Sequence, residues 1–161
     1  MTSLIKRLPL AALAVAVALS VGVGAQSNPQ IAGNWEIDTA KSVTGRGRAG
    51  GPGPDRMIIK VSPAEVAVTS DTGVNRARET AVYKLDAPEH EVPGPLSWNS
   101  RAKSTWDSGR LVVTIARIIE GPTAPFRIEM KDVYSVSGDV LTLERTQGVQ
   151  SWKSVFNRRK Q

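Results

Sequence analysis

From Ile31 to Arg158, apolar and polar residues alternate in short runs, and clusters of turn-forming residues separate one run from the next. A period of two marks strands with one buried face. The runs are Ile31–Asp38, Arg56–Val61, Glu65–Ser70, Arg76–Leu85, Trp98–Asp107, Arg110–Ile119, Phe126–Ser137, Val140–Gln147 and Ser151–Arg158. Their separators include Ser62-Pro63-Ala64, Asp71-Thr72-Gly73, Ser108-Gly109, Glu120-Gly121-Pro122 and Gly138-Asp139, residues that tolerate a positive φ or fix a bend. No stretch shows helical spacing, and such loops leave no room for crossover helices. The predicted fold is therefore all-β: an antiparallel up-and-down meander of eight or nine strands, closed into a small barrel because closure removes exposed edges.

Two stretches interrupt the rhythm. Thr44–Pro54 has almost no apolar side chain to bury and is expected to be a mobile loop, and Asp86–Leu96 reads as an extended, proline-bearing connection.

Alternation also sorts the strand faces. In Phe126–Ser137, Phe126, Ile128, Met130, Asp132, Tyr134 and Val136 share one side, opposite Arg127, Glu129 and Lys131. Leu111, Val113, Ile115, Arg117 and Ile119 share a side, as do Leu141, Leu143 and Arg145. Trp98, Ser100, Ala102, Ser104 and Trp106 form a further set. All eight aromatics, including Trp35, Tyr83, Trp152 and Phe156, fall on such inward faces. If Gly138-Asp139 and Ser108-Gly109 are two-residue turns, Asp132 faces Arg145, Tyr134 faces Leu143, Trp106 faces Leu111 and Ser100 faces Arg117. This register keeps apolar residues together and puts Ser100, Arg117, Asp132, Tyr134 and Arg145 inside. Asp132 is the one carboxylate that the reading assigns to the interior.

At the N-terminus, Lys6 and Arg7 precede an apolar run from Leu8 to Val23. Small residues Val23 and Ala25 then stand before an abrupt polar shift at Gln26. This is the pattern of a secretory signal peptide over residues 1–25, cleaved near Ala25 to leave a single domain over 26–161. The protein is thus expected to be exported, either periplasmic or secreted. Removing Lys6 and Arg7 lowers the formal net charge from +6 to +4. For an exported chain that mild basicity suits solubility or contact with an anionic envelope surface rather than nucleic acid, so the Arg46-Gly47-Arg48 piece is not read as a nucleic-acid arm.

The composition removes much chemistry. With no cysteine there is no disulfide framework, thiolate metal site or cysteine nucleophile, and a single histidine, His90, cannot build a His-cluster metal centre. No metal or cofactor is expected. His90 lies between Glu89 and Glu91 on the proline-rich connection and reads as a solvated side chain. A catalytic His90–Asp132 pair is the less favoured alternative, and an enzyme is less expected than a binding protein.

Gly33-Asn34-Trp35, at the start of an antiparallel meander, resembles the first signature of the lipocalin superfamily. Together with Gly33–Ser42, Tyr83–Asp86, Trp106–Thr114 and Val133–Thr146, it is similar to a group of lipocalin-like exported bacterial proteins. The resemblance covers most of the chain after Gln26. It implies a lipocalin-like barrel, structural roles for Gly33 and Trp35, Trp35 packed near a closed end, and Arg158 or Arg159 set against that tryptophan. It further implies a small apolar ligand, and the inward arginines extend that expectation to an acidic one. The expected function is an exported binding protein whose interior holds a small amphipathic or carboxylate-bearing molecule at Arg117, Asp132, Tyr134, Arg145 and Ser100. The alternative is a fully packed barrel that acts through its loops, as an envelope interaction protein or hydrolase inhibitor.

Overall fold

The computed structural model describes residues 28–43, 54–72, 77–93 and 99–160. The expected signal peptide, Trp98 and nearly all of the Thr44–Pro54 loop lie outside the described residues. A 3₁₀ turn at Pro29–Ile31, capped by Asn28, leads into ten strands: β1 Gly33–Ile37, β2 Arg56–Val61, β3 Glu65–Thr72, β4 Ala77–Lys84, β5 His90–Pro93, β6 Asn99–Asp107, β7 Arg110–Ile119, β8 Phe126–Ser137, β9 Val140–Gln147 and β10 Gln150–Arg158. All belong to one antiparallel sheet in the order β4-β3-β2-β1-β10-β9-β8-β7-β6-β5. The up-and-down meander is as expected, but the strand count is ten rather than eight or nine.

The additional strand is β5, in the segment that reads as a bare connection. It pairs along one edge only, with β6. There Pro93 leaves no ladder bond unmade, since an edge strand is where proline is tolerated.

The sheet nearly closes on itself between β4 and the β5–β6 hairpin. Ser104 Oγ donates to the Lys84 carbonyl at 2.9 Å, Asp86 N donates to the Ser104 carbonyl at 2.9 Å, and Leu85 bridges Ser104 in parallel. His90 completes the seam: its Nε2 lies 3.1 Å from the Val82 carbonyl and 3.2 Å from Lys84 N, and Nδ1 lies 3.3 Å from the Pro88 carbonyl. The histidine is therefore a strand-to-strand clip rather than a freely solvated side chain.

The two-residue hairpin turns hold as expected. Ser108 and Gly109 both have positive φ, 52° and 76°, which matches the twist of a tight hairpin, and Gly138 takes φ 57° at the first position of the β8–β9 turn. The register they impose is the expected one: Ser100 opposite Arg117, Trp106 opposite Leu111, Tyr134 opposite Leu143 and Asp132 opposite Arg145.

One end of the barrel is closed by the 3₁₀ turn, which tucks Ile31 under the strands. Trp35 is fully buried there and its Nε1 donates to the Ile31 carbonyl at 3.0 Å. Arg158, not Arg159, lies over its ring at 4.2 Å and donates to the Ala32 and Gln30 carbonyls at 2.8 and 2.6 Å. Gly33 makes this possible. At its φ of 152° a side chain is strained, and an added Cβ would overlap the Arg158 guanidinium.

The core runs from this floor upward through Met57, Ile59, Val66, Leu111, Val113, Leu141 and Phe156. One inward assignment fails: Phe126 is 50% exposed. The β7–β8 hairpin extends past its neighbours, because β9 pairs with β8 only from Lys131 onward, so among the described residues no opposite wall reaches Phe126.

Candidate functional site

The register stacks inward side chains into rows that cross the barrel wall. One step above the floor row of Val136, Leu141 and Phe156, a row runs Trp106, Leu111, Tyr134, Leu143 and Ser154 over strands β6 to β10. The next row toward the open end is Ser104, Val113, Asp132, Arg145 and Trp152. Above it lie Ala102, Ile115 and Met130, and above those Ser100, Arg117 and Ile128. Each step is two residues, because alternate side chains share a face.

At the centre of the second row, Arg145 grips Asp132 with both arms of its guanidinium. Nε donates to Oδ1 at 2.7 Å and Nη2 to Oδ2 at 2.6 Å. The two partners differ sharply in exposure: Asp132 is fully buried, while the Arg145 side chain is 39% exposed. Arg145 therefore reaches from a buried anchor to the rim, which lies close by because the β9–β10 turn begins just past Gln147. Burial acts to lower the Arg145 pKa, but the paired hydrogen bonds and charge of Asp132 outweigh it, so the guanidinium is held above its ordinary value. A bidentate pair of this kind fixes orientation as well as charge.

Arg117 stands two rows nearer the open end than Asp132, on the taller β7–β8 wall. Burial, and then the like charge of Arg145, hold its pKa below the ordinary value, with Asp132 opposing. Two guanidiniums and one carboxylate thus act on one another inside the barrel. The register turns a second carboxylate inward, Glu79 on β4, which alternation about Tyr83 could have revealed. It is not among the charges that shift either arginine.

Below this group Tyr83 and Tyr134 lie close enough to act on one another, and burial pushes both pKa values well above 10. Both are neutral donors and acceptors at any physiological pH. Ser100 is buried beside Arg117, as the register requires.

The structure therefore brings Asp132, Arg145 and Tyr134 into adjacent rows and sets Arg117 and Ser100 higher at the mouth. Sequence reasoning passed over Tyr83 as Tyr134's partner, Trp152 directly opposite Arg145, and Trp106 at the foot of β6. Their shared inward parity was the available signal.

Outside the barrel a separate ion network joins Glu89, Arg101, Arg127 and Glu129, with Arg127 donating to Glu89 at 2.7 Å. It ties β5 to β6 and β8 and has no part in the interior.

No protein-family model matches the chain, and no curated protein matches its sequence. Its fold, by contrast, is shared with solved structures. It is similar to lipid binding protein 8 from Caenorhabditis elegans, with a TM-score of 0.60 at 10% identity over 84% of this chain and 100% of that one. A fatty acid transporter, REP1-NXSQ, gives 0.59 at 10% identity, over 82% and 98% of the two chains. The fluorescent protein UnaG gives 0.60 at 16% identity, over 81% and 98%. At such identities the likeness is one of architecture: this chain's nearly closed antiparallel barrel is shared with these solved structures, and the lipocalin-like expectation corresponds to it coarsely.

Proposed function

We propose that the protein is an exported binding protein whose barrel holds one small amphipathic molecule with an acidic group, its apolar body among the core residues and its carboxylate at Arg145 and Arg117. The observation that carries this reading is the Asp132–Arg145 pair in the wall: a fully buried carboxylate fixes a guanidinium whose side chain is 39% exposed, a pre-oriented donor toward the interior. A guanidinium held in a fixed plane recognises a carboxylate through charge-assisted hydrogen bonds.

The division of labour follows from the geometry. Asp132 holds the Arg145 guanidinium in one plane, leaving Nη1 outside the two bonds to Asp132. Arg117 brings the second charge from the taller wall, and Ser100 adds a hydroxyl beside it. Tyr134 lies one row deeper and lines the passage to the floor. The apolar or acidic ligand class agrees with the names of the lipid-binding and fatty-acid-transporting proteins that share the fold.

Displacement of an anionic apolar fluorophore by hexadecanoate tests the reading. Saturable one-to-one displacement is expected, weakened at least tenfold in Arg145→Met and in Arg117→Met. Absence of saturable binding, or wild-type affinity in both variants, contradicts it. Export is tested separately by N-terminal sequencing of secreted material, where Gln26 is expected as the first residue and an intact Met1 refutes cleavage.

A further inference from the structure

The large apolar side chains that the barrel leaves in water are gathered at one end. Among the described residues they are Val43 at 63% exposure, Ile118 at 47%, Phe126 at 50% and Val149, which is completely exposed. Val149 stands at the apex of the β9–β10 turn, and Ile118 and Phe126 flank the tip of the overhanging β7–β8 hairpin. Val43 bridges Lys153, farther up β10 than β1 reaches. All four positions lie toward the open end, away from the Trp35 floor. A single exposed apolar residue is ordinary; segregation of all of them at one end is not.

Turn chemistry differs between the ends in the same sense. At the closed end the tight turns are Ser108-Gly109 and Gly138-Asp139, with the polar residues such turns favour. At the open end the turn Gly148-Val149 carries a bare isopropyl group where Gly138-Asp139 carries a carboxylate. The tip of the β7–β8 hairpin holds one charge, Glu120, and presents its aromatic ring firmly. A Cβ on Gly121 would lie 2.5 Å from the Ala124 carbonyl oxygen and 3.5 Å from the Phe126 ring, so the tip folds back closely against that ring.

The spacing of these side chains selects the partner. A protein partner buries a contiguous patch, about 800 Å² on each side, whereas these four are spread over separate segments along the rim from β7 round to β1. A fluid bilayer takes up separated apolar side chains one at a time, and binding grows with the apolar area buried and with attraction to anionic headgroups. The chain has the matching sign, with a net charge of +6 and Lys153 beside Val43. We propose that the open rim docks on an anionic lipid bilayer, with Val43, Ile118, Phe126 and Val149 entering the boundary between headgroups and acyl chains. The barrel mouth then faces the membrane. This docking goes beyond the acid-binding reading and does not depend on it.

Because the chain has no cysteine, single cysteines carrying a polarity-sensitive fluorophore can report each end separately. Val149→Cys marks the open rim, and Ser137→Cys marks an exposed position at the closed end. With vesicles of phosphatidylcholine and phosphatidylglycerol, emission at Val149→Cys should shift to the blue and saturate, while emission at Ser137→Cys stays as it is in buffer. Co-sedimentation of unlabelled protein with the same vesicles should weaken about tenfold in the triple variant Ile118→Thr, Phe126→Gln, Val149→Thr. The three side chains are exposed, so the variant should keep the wild-type circular dichroism spectrum. Equal shifts at the two labelled positions, vesicle binding that survives the triple change, or no vesicle binding at all overturns the proposal. A blue shift at Val149→Cys that grows with protein concentration without vesicles assigns the rim to a second copy of this chain and overturns it as well.

Discussion

The Asp132–Arg145 pair is asymmetric, and that asymmetry predicts how the two halves respond to removal. Arg145→Met leaves a carboxylate with no solvent exposure and both oxygens deprived of donors at 2.7 and 2.6 Å. Removing one partner of a buried pair costs roughly 3–5 kcal/mol. The expected loss is about 3 kcal/mol, since methionine keeps part of the apolar stem in place. Asp132→Asn is milder: the amide oxygen still accepts one bond, and the 39%-exposed Arg145 can turn its head to water on its long stem. About 1–2 kcal/mol is expected there. The double variant should lose about 2 kcal/mol less than the sum of the single losses, because the second change removes a group that the first had stranded. Urea unfolding followed by tryptophan fluorescence reads all four proteins. A larger loss in Asp132→Asn than in Arg145→Met would show that repulsion between Arg117 and Arg145 governs this interior and that Asp132 is not the buried anchor.

Further outcomes follow from the floor, the tyrosines, the seam and the outer network. Trp35→Ala should cost about 3–5 kcal/mol, as for other large buried aromatics, and Gly33→Ala should lower the melting temperature by displacing Arg158; an unchanged melting temperature in both would refute the structural role of the Gly33–Trp35 signature. The chain has only two tyrosines, both with raised pKa values, so tyrosinate absorbance of the native protein should stay flat through pH 10, where ordinary tyrosines ionise, and stability should decline as pH rises beyond that point, because the unfolded chain releases protons that the folded one keeps. His90→Phe should weaken the β4–β5 seam by about 1–3 kcal/mol, the cost of leaving backbone groups unpaired, with faster amide exchange at Lys84 as the local signature. Arg127, and then Arg101, hold the Glu89 carboxyl below its ordinary 4.5; its contribution is therefore present above pH 4.5 and fades in acid, and Glu89→Gln should flatten that part of the stability profile.

Most of the wall was legible because period-two alternation and two-residue turns are local. Once Gly138-Asp139 is read as a turn, the pairing of Asp132 with Arg145 has no freedom left, since a slip of one residue would turn every side chain of β8 over. Where the reading failed, the deciding contact was long-range. Strand β5 is four residues long and ends in a proline, and only its place at an edge makes it a strand. Phe126 has inward parity, but among the described residues no wall reaches as high as it does. His90 looks solvated among acidic neighbours until β4 closes against it. Arg117 shares the inward parity of Asp132 and Arg145. Register shows that it is also two rows higher, which alternation within single strands cannot reveal without aligning three strands together.

The most direct test of the central claim is the carbon-13 spectrum of hexadecanoate labelled at its carboxyl, mixed with one equivalent of protein. The account predicts one bound resonance in slow exchange, whose position does not follow the ordinary carboxyl titration as pH is lowered through about 5, because two guanidiniums favour the ionised form. That resonance should be lost in Arg145→Met combined with Arg117→Met. A spectrum showing only free hexadecanoate, or a bound resonance unchanged in the double variant, would contradict the assignment of the barrel interior as an acid-binding site.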